Sequence, residues 1–418
     1  MRTRTAAAVF GAVTLIAACS PSAETPQETT GSAVTPPTTT AATSAEPRRG
    51  PEPSVATPVV ASVLSAPVPV PATDGRVHLA YEVQLTNVLA QEVTLTSLIV
   101  LDRDVSLLNL SGDQLANWTR IIGTPVPTTK IGPAQTAVVW LDVALDKDAA
   151  IPAALVHAVG LSLAEPKPPL FPATMTETVA PVTVQTRKPV VISAPLSGSS
   201  WVDGGGCCDM GAHRLALNPI NGALWAAERF AIDYLQLQPD GRLYTGDQTK
   251  LESFGYFGAD ILAVADGPVV AAVDGLPEQV PEKNPTGLPL DQYAGNHIVQ
   301  DLGNGNYALY AHIKTGAVKV KPGDRVSAGQ VIGSVGNSGN SSAPHLHFHV
   351  MSTPDPLRSD GLPFVFTKFR LDSRVAAPQN DLDSIFDGQP VPMQPGLAAR
   401  DESDVMPLDL DVMTYANR

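Results

Sequence analysis

Tyr307-Ala308-Leu309-Tyr310-Ala311-His312-Ile313 and, further on, Pro344-His345-Leu346-His347-Phe348-His349-Val350 frame the stretch whose reading decides the fold. Strand side chains alternate faces, so His345, His347 and His349 share one face while Leu346 and Phe348 pack behind. Imidazole is a common zinc ligand and the usual proton carrier near neutral pH. A zinc-dependent hydrolytic site is therefore the first hypothesis. Two histidines flanking one residue are a weak signal alone, and their context has to decide.

Between the two framing segments runs Val318-Lys319-Val320-Lys321-Pro322-Gly323-Asp324-Arg325-Val326-Ser327-Ala328-Gly329-Gln330-Val331-Ile332-Gly333, then Gly336-Asn337-Ser338-Gly339. A Tyr-Ala-His strand, a Gly-Asp…Ala-Gly hairpin, a Gly-Asn-Ser-Gly turn and His-Leu-His-Phe follow in an order that closely resembles the M23 (LytM, lysostaphin-like) peptidases. Lipoyl and biotin carriers share the central hairpin but lack the flanking histidines. An amidohydrolase needs a long barrel after its histidine pair, and a cupin needs a glutamate a few residues later; neither is present. Val264-Ala265-Asp266-Gly267-Pro268-Val269-Val270 and Gly295-Asn296-His297-Ile298-Val299 also resemble strands of the family.

The resemblance implies roles residue by residue. His347 is a zinc ligand, and His312 and His345 are the pair that handles the water and the developing oxyanion. The family's remaining ligands are a His and an Asp four residues apart on a His-x-Gly-Ile-Asp strand. Here that strand reads Arg229-Phe230-Ala231-Ile232-Asp233, so Asp233 fits and Arg229 stands where the histidine belongs. A guanidinium stays charged and repels a cation. Either another histidine reaches in, with His213 the best placed, or the site is degenerate and binds no metal. The expected metal set is His213, Asp233 and His347, holding Zn2+. His297 is a fallback ligand, and His349 is at most an outer contact.

The chain has 418 residues and a net charge of −14, with no extended basic cluster, which argues against a nucleic-acid partner. Arg2 and Arg4 precede an apolar run, Thr5 to Ala18, too short to span a bilayer as a mature helix. Its end, Leu15-Ile16-Ala17-Ala18-Cys19, resembles the bacterial lipobox, which implies cleavage before Cys19 and a lipid anchor on its thiol. An ordinary secretory signal is the alternative; both place the mature protein outside the cytoplasm. Cys207-Cys208 then remain as an adjacent pair, disulfide-bonded or free.

Together these features predict a mainly β chain in five segments. Residues 1–18 are a lipoprotein signal peptide, and 19–57 a Pro/Thr-rich tether with too little apolar content to fold. Residues 58–195 carry short alternating strands and form a β-sandwich-like domain. Residues 196–375 are an M23-type antiparallel β catalytic domain, and 376–418 a C-terminal extension whose last run, Met406 to Val412 plus a few residues, is expected to add an edge strand or cover a surface. His78 and His157 have no chemical company in the sequence and are read as structural. The implied function is a peptidoglycan endopeptidase, lipid-anchored at the membrane and facing the wall. The alternative is an inactive M23-like module that binds wall peptide or activates another hydrolase.

Overall fold

The computed structural model describes residues 54–377 and 382–416. The expected signal segment, Cys19 and the expected tether up to residue 53 lie outside the described residues. Among the described residues no helix is long and apolar enough to cross a membrane.

The first strands build two facing five-stranded sheets. One has Arg76–Asn87 and Thr136–Asp146 at its centre; the other is centred on Val93–Asp102 and Ala154–Leu163. Leu79, Tyr81, Val83 and Leu85 alternate along Arg76–Asn87 and meet Val139, Leu141 and Val143 in the core between the sheets. Burying apolar side chains of this size contributes about 1.5–3 kcal/mol each. At the centre of this core, Tyr81 donates its hydroxyl to His157 Nε2 at 2.8 Å, and His157 Nδ1 donates to Ala180 O at 2.9 Å. His157 is the structural residue its isolation suggested.

Alternation predicts that the opposite face of such a strand meets water. Here it does not: Ala80 belongs to the core of the C-terminal half, residues 196 onward, and Glu82 is fully buried. Val138 and Trp140, on the neighbouring strand, pack against Met210 of the C-terminal half. The sheet is therefore sandwiched between two cores.

His78 differs from its reading as an isolated residue. Its Nδ1 lies 2.9 Å from Asp142 Oδ2, and its Nε2 lies 3.2 Å from Asp74 Oδ2. Burial disfavours the charge, but the two carboxylates outweigh it and push the imidazole up to about 9.

The C-terminal half is built on one 11-stranded sheet. Its centre runs Asn296–Gly303, Asn306–Ile313, Leu346–Met351, Ile232–Gln236 and Gly198–Gly204, all antiparallel. Asp411–Tyr415 comes next, inserted between Gly198–Gly204 and Phe369–Arg374. This corrects the expectation of an edge strand or surface cover: the segment is an interior strand, because Val412, Met413 and Tyr415 are buried on a sheet that continues beyond it. Cys207 and Cys208 are disulfide-bonded to each other in the loop after Gly204.

The His78 cluster makes stability depend on pH. Its folded pKa of about 9 lies above the ordinary 6.5, so the contribution is complete below pH 6.5 and disappears as pH rises through 9. Comparing urea unfolding of wild type and His78→Gln at pH 6 and pH 10 should show the gap closing at the higher pH, by about 1–3 kcal/mol. An equal gap at both pH values would mean that the cluster is not ionic.

Candidate metal centre

Three adjacent strands bring the chemistry together. Strand pairing places Asp233 directly opposite His347 on one side and Ala311 opposite His347 on the other. Leu346 and Phe348 point into the core behind, so His345, His347 and His349 share the face that the period of 2 predicts.

Three imidazoles converge on one carboxylate. His347 Nδ1 is 2.8 Å from Asp233 Oδ1, His345 Nε2 is 3.4 Å from the same oxygen, and His213 Nε2 is 3.3 Å from Oδ2. One donor atom each from His213, Asp233 and His347 lies within 4.8 Å of the other two, and the same holds for His312, His345 and His347. All these histidines are buried, and the Asp233 side chain is 26% exposed. Burial alone would raise the Asp233 carboxyl, but His345 and His213 hold it well below the usual carboxylate range. Burial likewise opposes charge on His213, and Asp233 overcomes it, taking the imidazole to about 10. The same contest raises His345. His312 goes the other way: burial first, then His345 and His347, push it well below its ordinary value.

Main-chain carbonyls fix the tautomers, since a carbonyl only accepts. His213 Nδ1 donates to Gly205 O at 2.9 Å and Ala231 O at 3.1 Å, which turns Nε2 toward Asp233. His312 Nδ1 donates to Ser338 O at 2.7 Å, and His345 Nδ1 to Ala343 O at 2.8 Å, leaving Nε2 of each to the cleft. His312 itself sits at φ 60°, a left-handed conformation that a non-glycine residue adopts only when its surroundings impose it. One imposing contact is its N–H, which donates to Ala294 O at 3.0 Å. The turn carrying Ser338 is pressed against that same segment. A Cβ on Gly339 would lie 2.3 Å from Gly295 N and 2.5 Å from its Cα, and Gly339 has φ 75°.

Residues 255–359 match the model of Peptidase family M23. The chain carries an M23 peptidase domain. The matched span contains His312, His345 and His347; Asp233 and His213 precede it. Among curated proteins, the chain is 39% identical over 67 residues to the peptidoglycan DD-endopeptidase ShyA of Vibrio cholerae, covering 16% of this chain and 15% of that one. It is 33% identical over 122 residues to the glycyl-glycine endopeptidase ALE-1 of Staphylococcus capitis, 29% of each chain. The chain thus spans under a third of the length of these relatives. Among solved structures, the catalytic domain of lysostaphin from Staphylococcus simulans aligns with 39% of this chain and 88% of its own, at 24% identity and a TM-score of 0.22. The catalytic domain of the prophage-encoded M23 protein EnpA from Enterococcus faecalis aligns with 41% and 93%, at 22% identity and a TM-score of 0.24.

Arg229, which precedes the matched span, turns away from the cluster. Its Nε donates to both Glu82 oxygens at 3.0 Å, its Nη1 to Gly361 O and its Nη2 to Ser65 Oγ. His213 stands beside Asp233 instead, on the single turn Ala212–Leu215 that follows the adjoining strand Gly198–Gly204. His297 belongs to none of the metal-type clusters among the described residues; its Nδ1 donates to Gly295 O at 2.8 Å. His349 makes an outer contact, with Nδ1 2.9 Å from His347 Nε2. Two participants escaped the sequence reading altogether, Glu82 and the carbonyl of Gly205. A charged residue inside the apolar alternation of Arg76–Asn87 was the available signal for the first; nothing local marks the second.

The Gly339 contact can be tested. Gly339→Ala must separate the Ser338 turn from Gly295 and adopt a strained φ, so chemical denaturation should show a loss of about 1–3 kcal/mol. Unchanged stability would mean that the backbone approach does not fix the His312 acceptor.

Proposed function

We propose that this chain is a zinc-dependent endopeptidase that hydrolyses a peptide bond in the stem or cross-link peptides of peptidoglycan. The observation that carries this reading is the convergence of His213, His345 and His347 on Asp233, with His312 beside them. The names of two relatives, a peptidoglycan DD-endopeptidase and a glycyl-glycine endopeptidase, support the substrate class.

Zinc suits the donor set. Two imidazoles and a carboxylate are the N and O ligands it prefers, and three protein ligands leave a position for reaction. The tautomers agree: with His347 offering Nδ1, its Nε2–H donates to His349 Nδ1, and His349 keeps its own proton on a buried Nε2 that has no protein partner. When bound, the ion supplies Lewis acidity that polarises a carbonyl and acidifies water. The chain's own residues handle the protons. Hydrolysis joins the oxygen of water to the carbonyl carbon, breaks the C–N bond and delivers a proton to the departing amine. His312 and His345, each with Nδ1–H tied to a carbonyl, offer Nε2 to take that proton, return it to nitrogen, and hydrogen-bond the oxygen where charge develops.

In this reading residues 58–195 and 196–375 are the sandwich and catalytic domains, and 376–418 an extension that completes the catalytic sheet. A lipid on Cys19 and the tether of 19–57 hold both near the wall.

Metal analysis and zymography on purified peptidoglycan provide the test. Wild type should hold about one zinc per chain; His347→Ala and His213→Ala should lose both zinc and lysis. His345→Ala should keep zinc and lose about 10²–10⁴-fold in rate. Lysis that survives His347→Ala would sink the enzymatic reading, and a metal-free wild type would point to a wall-binding module instead.

A further inference from the structure

Glu82 is a fully buried carboxylate of the β-sandwich, and two arginines of the catalytic half meet on it. Arg229 binds it through Nε at 3.0 Å to each oxygen, and Arg214 Nη2 lies 3.7 Å from Oε1. Both guanidinia are buried, Arg214 at 1% exposure and Arg229 at 5%. Arg214 makes no surface contact to spare. Its Nη1 donates to Cys208 O at 3.2 Å, and its Nη2 to Leu141 O at 3.2 Å and Tyr81 O at 3.5 Å, carbonyls of two paired sandwich strands.

The positions of these arginines in the chain give the cluster its meaning. Arg214 directly follows His213 on the four-residue turn Ala212–Leu215. So short a helix has no stability of its own, because nucleation costs more than one turn returns. Its orientation must come from tertiary contacts, and Arg214 and His213 supply one on each side. Arg229 opens the turn that delivers Ala231, whose carbonyl accepts from His213, and then Asp233. One carboxylate from outside the M23 match therefore pins both segments that carry donors from outside it.

We propose that Glu82 is a positioning residue of the metal centre: by anchoring Arg214 and Arg229 it sets His213 against Asp233, which makes the sandwich a working part of the site. The inference rests on the reading that His213, Asp233 and His347 hold the ion. It also gives Arg229 a use. The residue that displaced a ligand histidine became the strut that lets a substitute histidine be held.

Cobalt(II) titration of the purified chain, read by its ligand-field absorption and by chelator competition, tests this without assaying hydrolysis. Glu82→Gln should weaken cobalt binding about ten- to a hundredfold and alter the spectrum, as loss of an outer-shell partner does. Glu82→Gln leaves two buried cations uncompensated and can fail to fold, so Arg214→Met is the second variant. It leaves Glu82 and Arg229 as a neutral pair, and the same loss of affinity and spectral change are expected from its folded form. A merely structural role would lower the unfolding midpoint while the folded protein kept its affinity and spectrum. Folded Arg214→Met with wild-type affinity and spectrum overturns the proposal. A wild-type chain that takes up no cobalt overturns the metal reading, and this inference with it; wild-type uptake with unchanged variants overturns this inference alone.

Discussion

The convergence of three imidazoles on the Asp233 carboxylate is the constraint around which the C-terminal half is arranged. The rings arrive by two routes: His213 from the turn Ala212–Leu215, and His345 and His347 from just before and within the strand Leu346–Met351 that pairs with Ile232–Gln236. Groups that attract and repel one another so strongly stay together only if the backbone leaves them no alternative. Main-chain carbonyls provide that restraint. Gly205, Ala231, Ser338 and Ala343 each accept an Nδ1–H, so ring orientation is set by strand and loop geometry rather than by the rings' own pairing.

A second organising feature is the strand Arg76–Asn87, buried on both faces. Its odd-numbered side chains fill the sandwich core, while Ala80 and Glu82 face the catalytic half. Antiparallel sheets usually keep one face wet, so burial on both sides marks an element that joins two cores. The two halves are thus held by a continuous interior rather than by a hinge.

Much of this was legible in the residues. The period-2 histidines, the order of the M23 segments and the alternating sandwich strands predicted the fold class and the strands bearing His312, His345 and His347. Asp233 was found because a strand keeps its spacing from a missing ligand. The place of His213 was less visible, since a short turn anchored by distant contacts has no periodicity. Glu82 went unread for a related reason: a charge inside the alternation of Arg76–Asn87 was its one local sign, and its partners Arg214 and Arg229 lie far away in sequence. His78 was misjudged in the same way, since Asp142 reaches it only through pairing of strands far apart in sequence. Local pattern reports which face a side chain takes, and only tertiary structure reports what waits there.

The interior position of Asp411–Tyr415 has a consequence for how the molecule reaches its native state. Val412 pairs with Val202 on one side and Ser373 on the other, so the sheet stays open at that slot until the most C-terminal of its strands arrives. Contacts that close so long a span form late and slowly. Gly204, at the end of the waiting strand, leads directly into the loop that supports His213. During synthesis the chain therefore passes most of its length with that support incomplete, and the side-chain cluster around Asp233 is assembled only when the sheet is whole.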